Sequence, residues 1–153
     1  MKLKQKHKGG QLQRLNQSNM LADALRLFNQ SEVHRDYTVA DLQTYLLLPA
    51  EYETIRVYYS GESPVGLVTW CWMSPENSQK FLDGKYHPSP QDHDHTLSEG
   101  KELWGMEFIA PYGHTRQVMR EIKKVCLEKY GESDVHWRRF YSKDQKRKRK
   151  FKQ

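Results

Sequence analysis

The chain has 153 residues, two cysteines and a formal charge of +6. This length is enough for one globular domain with its own hydrophobic core, and two cysteines are too few for a disulfide framework or a zinc ribbon. No apolar run has the length of a membrane span, and no apolar stretch typical of a signal peptide follows the lysine-rich N-terminus. We therefore expect a soluble, reduced protein of the cytoplasm.

The positive charge is concentrated at the two ends of the chain. Residues 1–10 contain four lysines and no acidic residue, and residues 143–153 contain seven basic residues and one aspartate. The residues between them carry 14 basic and 18 acidic side chains, a net charge of −4. Because dense like charges repel one another, we predict a basic flexible segment at residues 1–17, a globular domain at residues 18–142 and a basic tail at residues 143–153. The basic ends either serve solubility alone or attract an acidic partner or nucleic acid.

An amphipathic helix is predicted at the start of the domain. Its apolar residues recur at helical spacing from Leu21 to Phe28. Ser18 or Asn19 is suited to cap its N-terminus, because a side-chain oxygen there can accept a free backbone N–H. The helix is predicted to end near Asn29.

A second helix is predicted after a short joint. It begins after Thr38, which forms a loose capping box with Asp41, and it stops at Pro49. The joint between the two helices is SEVHR, residues 31–35. Packing holds such a short connection in place while leaving it reachable, so its histidine is not expected to fill the core.

After Pro49 the apolar pattern changes from helical to alternating. ETIRVYYS and VGLVTWCWM predict a hairpin across the turn GESP, with Ile55, Val57 and Tyr59 on one face and with a central second strand. A helix from Ser74 to about Leu82, a histidine-rich loop, a strand at ELWGMEFIA, a helix ending at Gly131 and a strand at DVHWRRFY follow. We predict an α/β fold, of the α+β kind with a mixed sheet, in which helices pack on one central sheet.

Three stretches, in this order along the chain, resemble the RTX toxin-activating lysine acyltransferases. They are SEVHR, PVGLVTWCWMSPE at residues 64–76 and GMEFIAPYG at residues 105–113. The resemblance covers about residues 21–141 and is strongest to the member that accompanies the multifunctional Vibrio RTX toxins. It implies a GNAT-like acyltransferase fold. It also implies transfer of a fatty acyl group from acyl carrier protein to the ε-amine of an internal lysine of an RTX protoxin.

The resemblance also implies which residues act. The family has an essential histidine after Ser-x-x, a position held here by His34 with Ser31 ahead of it. The family's aspartate two residues before Ile-Ala-Pro is replaced here by Glu107. Glutamate keeps the charge and adds one methylene, so its carboxylate is expected to be displaced from a ring nitrogen unless the backbone compensates.

Acyl transfer to lysine needs a base, because an ammonium group is no nucleophile until it loses a proton. We expect His34 to be that base and Glu107 to fix its tautomer and raise its basicity. Ser31 either orients the imidazole or only caps a helix. A covalent acyl-histidine is the alternative mechanism, and the sequence identifies no group for the tetrahedral oxyanion.

Cysteine and tryptophan side chains have a simpler interpretation. Cys71 lies between Trp70 and Trp72 on an apolar strand, where a free cysteine behaves as a small hydrophobe rather than a nucleophile. The four tryptophans are interpreted as core and sheet-face aromatics, although some of them could line an acyl channel.

The histidine-rich loop and the turn PYGH suggest no cofactor. DHDH at residues 92–95 combines two histidines with carboxylates, which can bind a divalent metal, but a polar flexible loop explains the same residues. The turn PYGH lacks the glycine spacing of a pyrophosphate-binding loop. We therefore expect no metal, no coenzyme A and no other cofactor, with acyl-acyl carrier protein as a co-substrate.

Two other functions fit parts of the sequence. A catalytically weak or inactive relative would bind the toxin without acylating it. A binding module would use the basic ends to hold nucleic acid or an acidic protein, and its binding to nucleic acid would fall steeply with salt. We expect acyl carrier protein and an RTX protoxin as partners rather than nucleic acid, and the sequence leaves a homodimer open.

Overall fold

The computed structural model describes residues 10–132 and 134–138. Most of the basic N-terminal segment and the whole basic tail at residues 143–153 lie outside the described residues, and the domain boundaries stay predictions. No helix in the described part of the chain is long and apolar enough to cross a membrane.

Six α-helices and four strands are described. Their bounds are α1 Gly10–Gln30, α2 Val39–Leu42, α3 Leu48–Glu51, β1 Ile55–Ser60, β2 Ser63–Met73, α4 Pro75–Leu82, α5 Pro90–His93, β3 Glu102–Ile109, α6 Thr115–Tyr130 and β4 His136–Trp137. A π-helical segment at Gln43–Leu47 joins α2 to α3, and a 3₁₀ turn at His95–Leu97 follows α5. The predicted hairpin and the helix from Ser74 to Leu82 are confirmed.

The four strands form one mixed sheet in the order β1-β2-β3-β4. The first three strands are antiparallel, and β4 lies parallel to β3. The sheet confirms both the predicted α/β class and the central position of β2. Gly105 of β3 is required here, because a Cβ on it would lie 2.1 Å from the ring of Trp137. Within the predicted strand DVHWRRFY, only His136–Trp137 is a strand among the described residues.

Helices cover both faces of the sheet, which is consistent with the GNAT-like fold that the resemblance implies. On one face, α1 packs against Ile55, Val57 and Tyr59, the face predicted from the alternation in β1. On the opposite face, α6 packs against β2 through a cluster that contains Trp70 and Trp72. Burial of these apolar side chains is the main force that holds the layers together.

Two predicted helix boundaries are wrong. Helix α1 begins at Gly10 rather than at a cap on Ser18 or Asn19, because the Gln, Leu and Arg residues before Ser18 are good helix formers. The second helical segment runs past Pro49 to Glu51. Pro49 lies in the first turn of α3, where a missing N–H is tolerated.

The start of that second segment agrees with the sequence. The Asp41 N–H donates to Thr38 Oγ1 at 3.1 Å, and the Thr38 N–H donates to Asp41 Oδ2 at 2.8 Å. This reciprocal pair confirms the capping box. It fixes the point at which the chain leaves the joint after α1 and turns back over the sheet.

Candidate active site

The turn after α1 brings Ser31 and His34 together. The N–H groups of His34 and Arg35 both donate to the carbonyl oxygen of Ser31, at 3.1 and 3.0 Å. In such a turn, side chains three residues apart lie on the same side. The Ser31 Oγ and His34 Nδ1 atoms are 2.5 Å apart, a hydrogen bond between hydroxyl and imidazole.

A β-bulge in the sheet directs Glu107 toward this turn. Val68 pairs with Phe108 and Trp70 pairs with Gly105, so two residues of β3, Met106 and Glu107, lie opposite the single residue Thr69. A bulge of this kind reverses the alternation of side chains along the strand. This register explains why Met106 and Ile109 both face the α1 side, although they are three residues apart.

The bulge is held by a side-chain hydrogen bond. The Glu107 N–H donates to the Thr69 hydroxyl at 3.1 Å, and Thr69 is fully buried. Without this acceptor, the extra residue of the bulge would leave a buried donor unpaired, which is costly. Nothing in the sequence distinguishes Thr69 from the other β-branched residues of a central strand.

The carboxylate of Glu107 hydrogen-bonds to the imidazole of His34 through Oε2 and Nε2. The longer glutamate therefore reaches the ring, and the bulge is the backbone change on which that expectation was conditional. With Nε2–H donating to the carboxylate, Nδ1 is the acceptor and the Ser31 hydroxyl donates to it. The three predicted residues form one line of hydrogen bonds.

His34 and Glu107 are both buried, with 7% and 2% of their surface exposed. The ring of His34 packs against Phe28 and Tyr37 with ring centroids 5.2 and 5.1 Å apart. The expectation that the joint after α1 keeps its histidine out of the core is wrong. The aromatic contacts fix the ring, so that its two nitrogens point at fixed partners.

Tyr37 completes the surroundings of the carboxylate, and the sequence did not reveal it. Its hydroxyl donates to Glu107 Oε1 at 2.8 Å, so that both carboxylate oxygens are occupied. Burial and then the adjacent charge of Glu107 raise the pKa of Tyr37, which keeps the hydroxyl protonated and able to donate. The available signal was its spacing, since Tyr37 follows His34 by the same three residues that separate His34 from Ser31.

Two further polar side chains lie around this group. The Tyr45 ring lies 5.8 Å from that of Tyr37, and the Tyr45 hydroxyl is 2.6 Å from His87 Nδ1. Burial raises the pKa of Tyr45. Burial also lowers the pKa of Arg138, and the nearby Tyr45, Tyr37 and Glu107 oppose that shift. The Tyr37 hydroxyl donates to the carboxylate directly, and Tyr45 and the Arg138 guanidinium lie close enough to interact with its charge.

A buried imidazole between a hydroxyl and a carboxylate is suited to proton transfer during attack on an acyl group. Residues 13–152 match the RTX toxin acyltransferase family. The chain belongs to this family. It is therefore an acyltransferase, as the three quoted stretches indicated.

Relatives of the acyltransferase have names of the same kind. The chain is 31% identical to the lysine-acyltransferase RtxC of Vibrio cholerae over 108 residues, which cover 69% of this chain and 67% of the relative. It is 24% identical to the leukotoxin-activating lysine-acyltransferase LktC, serotype A1, of Mannheimia haemolytica, over 84% of this chain and 74% of the relative. It is also 23% identical to LtxC of Aggregatibacter actinomycetemcomitans, another leukotoxin-activating lysine-acyltransferase, over 74% and 65%.

A cleft of about 610 Å³ lies beside the last turns of α1 in the acyltransferase. Gln30, which directly precedes Ser31, lines it together with Ser60, Tyr112 and His114. Leu27, Pro64 and Val65 also line the cleft, so its lining is part polar and part apolar. Ser31, His34 and Glu107 are not among its lining residues.

Cys71 takes no part in this group. It is free, fully buried and packed in a cluster with Met73, Phe81 and Trp104. Burial raises the pKa of its thiol well above the usual range, which disfavours the nucleophilic thiolate. The interpretation of Cys71 as a buried hydrophobe is confirmed, as is the burial of Trp70, Trp72 and Trp104.

The first half of the DHDH stretch, Asp92 and His93, is part of the folded core, whereas Asp94 is half-buried and His95 is exposed. Asp92 caps α5 and accepts a hydrogen bond from Tyr86, and it is buried together with His93. His93 Nδ1 lies 2.7 Å from Thr54 Oγ1. Within the described ranges, no group of three or more His, Cys, Asp or Glu side chains is arranged to hold a metal ion.

Proposed function

We propose that this acyltransferase activates an RTX protoxin in the cytoplasm. It would transfer a fatty acyl group from acyl carrier protein to the ε-amine of one or more internal lysines of the toxin. The names of its relatives support this proposal, since they are lysine-acyltransferases and two of those described above are leukotoxin-activating. The observation that carries it is the hydrogen-bonded line of Ser31, His34 and Glu107.

In this proposal His34 is the base that accepts the proton of the attacking lysine. Glu107 accepts the Nε2–H bond and stabilises the imidazolium that forms, which is the role of a carboxylate behind a catalytic histidine. Because Nε2 already carries the hydrogen that it donates to Glu107, the proton of the lysine is accepted at Nδ1. Because the Ser31 hydroxyl already donates to Nδ1, the lysine either displaces that hydroxyl or passes its proton through it.

The remaining steps follow from the chemistry of a thioester. The lysine ammonium first loses one proton to solvent. The neutral amine then attacks the acyl carbonyl, and a carbon–nitrogen bond forms as a second proton passes from nitrogen to His34. The tetrahedral intermediate then collapses, and the carbon–sulfur bond breaks. His34 returns the proton to the departing sulfur, so that a thiol leaves and the base is neutral for another cycle.

In this proposal the basic ends of the chain recruit the acyl donor. The two ends together carry a net charge of +10, whereas the residues between them carry −4. Acyl carrier proteins are acidic in the mechanism that the resemblance implies. Deletion of residues 143–153 lowers the formal charge from +6 to 0. The truncated protein should need more carrier protein for half-maximal rate at low salt, with normal turnover at saturation, because steering acts on encounter. An unchanged dependence on carrier protein would exclude this role.

The central experiment combines the purified chain, acylated carrier protein and the cognate protoxin. Mass spectrometry of the toxin should then show an acyl mass increment on lysine. Omission of the carrier protein and use of a His34→Gln variant are the controls, and both should abolish the increment. A toxin that binds the chain but carries no modified lysine would instead identify an inactive relative that acts as a toxin-binding protein.

A further inference from the structure

We infer that Tyr37 is a positioning residue for the acyl transfer, which acts by fixing the carboxylate of Glu107. This inference rests on the proposed function, in which His34 is the base. Tyr37 does not touch the ring nitrogens of His34, but it holds the group that does. Its hydroxyl donates to Glu107 Oε1, while Oε2 of the same carboxylate contacts His34 Nε2.

The contacts of Glu107 leave its carboxylate one orientation. The backbone of Glu107 is fixed by the hydrogen bond to Thr69 at the bulge, and each carboxylate oxygen has a different partner. A carboxylate with only one oxygen engaged can rotate about its terminal torsion, which is soft. The Tyr37 hydroxyl removes that freedom. Since Glu107 is almost fully buried, few waters can take the place of the hydroxyl.

The position of the Tyr37 ring is itself determined by packing. It lies 5.7 Å from the ring of Phe28 and 5.1 Å from that of His34, and it also packs against Tyr45. A Tyr37→Phe variant keeps all three ring contacts and loses only the hydroxyl. The substitution therefore tests the hydrogen bond and not the packing of the turn.

Removal of the hydroxyl should be visible at the His34 ring as well as in the rate. Without the hydroxyl, the carboxylate can rotate about its terminal torsion and holds the ring of His34 less firmly. The charged or titratable groups that face this carboxylate are His34, Tyr37, Tyr45 and Arg138. Only Tyr37 is altered in the variant, and the others are common to both proteins.

We expect Tyr37→Phe to lower the rate of lysine acylation about tenfold, the effect of one charge-assisted hydrogen bond. The loss should lie in kcat, with the KM for acylated carrier protein within about twofold of the parent, because the hydroxyl positions the base and contacts no substrate. The NMR signals of the His34 ring protons at pH 7.5, measured in the absence of substrate, should also change, because the carboxylate that contacts the ring is no longer held in one orientation. A merely structural role would leave these ring signals as they are in the parent.

Tyr59→Phe is a matched control. The Tyr59 hydroxyl donates to Asp23 Oδ2 at 2.7 Å, so the same kind of buried tyrosine–carboxylate bond is lost at a place remote from Glu107. This variant should keep the parent's rate and the parent's His34 ring signals. Its thermal unfolding also shows what the loss of such a bond costs in stability alone.

A double-mutant cycle tests whether Tyr37 acts through Glu107. If Tyr37 acts through the carboxylate, Tyr37→Phe should change the rate less than about threefold once Glu107→Gln is present, because coupled residues are not additive. Tyr59→Phe should instead show the same effect in both backgrounds. Equal effects of Tyr37→Phe in the two backgrounds, or unchanged His34 ring signals, would overturn the inference. A parent that fails to acylate lysine while Tyr37→Phe still changes the His34 ring signals would overturn the proposed function and leave the positioning role standing.

Discussion

His34 and His93 are both buried imidazoles on elements that pack against the sheet, but their partners differ. His34 lies between the hydroxyl of Ser31 and the carboxylate of Glu107. His93 has the hydroxyl of Thr54 on Nδ1, and no hydrogen bond between His93 and a carboxylate is found in the described part of the chain. One ring has a group that can stabilise a positive charge by direct contact, and the other does not.

The difference shows that burial without a carboxylate partner keeps an imidazole neutral, so that it cannot accept a proton at physiological pH. Burial lowers the pKa of His93 to about 4, and the charge of the neighbouring Asp92 only partly opposes this shift. His93 is therefore neutral at physiological pH and acts as a packing residue that ties α5 to the segment before β1. Burial beside a carboxylate instead creates a site where a proton can be accepted and returned.

The largest expected effect separates the two histidines by activity. His34→Gln should lower the rate of lysine acylation by about 10²- to 10⁴-fold, the usual contribution of a general base. The amide can still donate to Glu107, so the buried carboxylate keeps a partner. His93→Gln, which can keep the bond to Thr54, should leave the rate within about threefold of the parent. Initial rates on the protoxin, measured with both variants shown to be folded by circular dichroism, compare them directly.

The opposite ranking, with His93→Gln inactive and His34→Gln active, would place the chemistry in the histidine-rich loop. Equal loss in both variants with normal folding would mean that the contrast between their partners has no bearing on catalysis.

A second prediction tests whether the carboxylate makes the difference. Glu107→Gln keeps the shape of the side chain and removes its charge, so we expect the rate to fall about 10- to 100-fold. Glu107→Asp keeps the charge, but the side chain is one methylene shorter and cannot reach both His34 and Tyr37, so its rate should also fall. Rates of the two variants at saturating donor provide the measurement. A Glu107→Gln variant as active as the parent would show that His34 needs no carboxylate.

The sequence was sufficient to find the residues of the site but not to explain how they meet. The Ser-x-x-His spacing and the resemblance led to Ser31, His34 and Glu107. The bulge opposite Thr69 could not be predicted, because it depends on the register between two strands and not on the pattern within one. Strict alternation along β3 would have placed Glu107 on the same face as Leu103, which packs on the α6 side.

Two other segments were also predicted wrongly from the sequence, for reasons that the pattern of residues does not show. DHDH is polar and was interpreted as a loop, yet its packing against β2 buries Asp92 and His93. The helical segment continues through Pro49 because a π-helical turn precedes it. By contrast, the capping box at Thr38, the hairpin and the N-cap at Ser74 depend on local hydrogen bonds, and all three were predicted.

A third prediction concerns stability in acid. The folded state holds the pKa of His93 at about 4, below its value of about 6.5 in an unfolded chain. Between these values the unfolded chain binds the extra proton, so stability falls as pH decreases through this window and is constant above it. We expect a loss of about 1 kcal/mol between pH 7.5 and 5.5, approaching about 3 kcal/mol below pH 4.

Urea unfolding at pH 7.5 and pH 5.5 tests this, with His93→Gln as the control. The variant lacks the titrating ring, so its stability should change less between the two pH values than that of the parent. If the parent and the variant lose the same free energy of unfolding, His93 is not the group responsible, and the contrast with His34 would rest on catalysis alone.

The smallest expected effect concerns a third histidine, which has a partner but is not buried. His87 Nδ1 lies 2.6 Å from the Tyr45 hydroxyl, and its ring is exposed to solvent. An exposed hydrogen bond competes with water, so His87→Ala should change the free energy of unfolding by only about 0.5 kcal/mol. The acylation rate should stay within about twofold, since the Tyr45 hydroxyl that loses this partner does not hydrogen-bond to Glu107. Urea unfolding and initial rates at pH 7.5 measure both. A tenfold loss of rate would mean that the hydrogen-bonded group around Glu107 extends to the surface at His87.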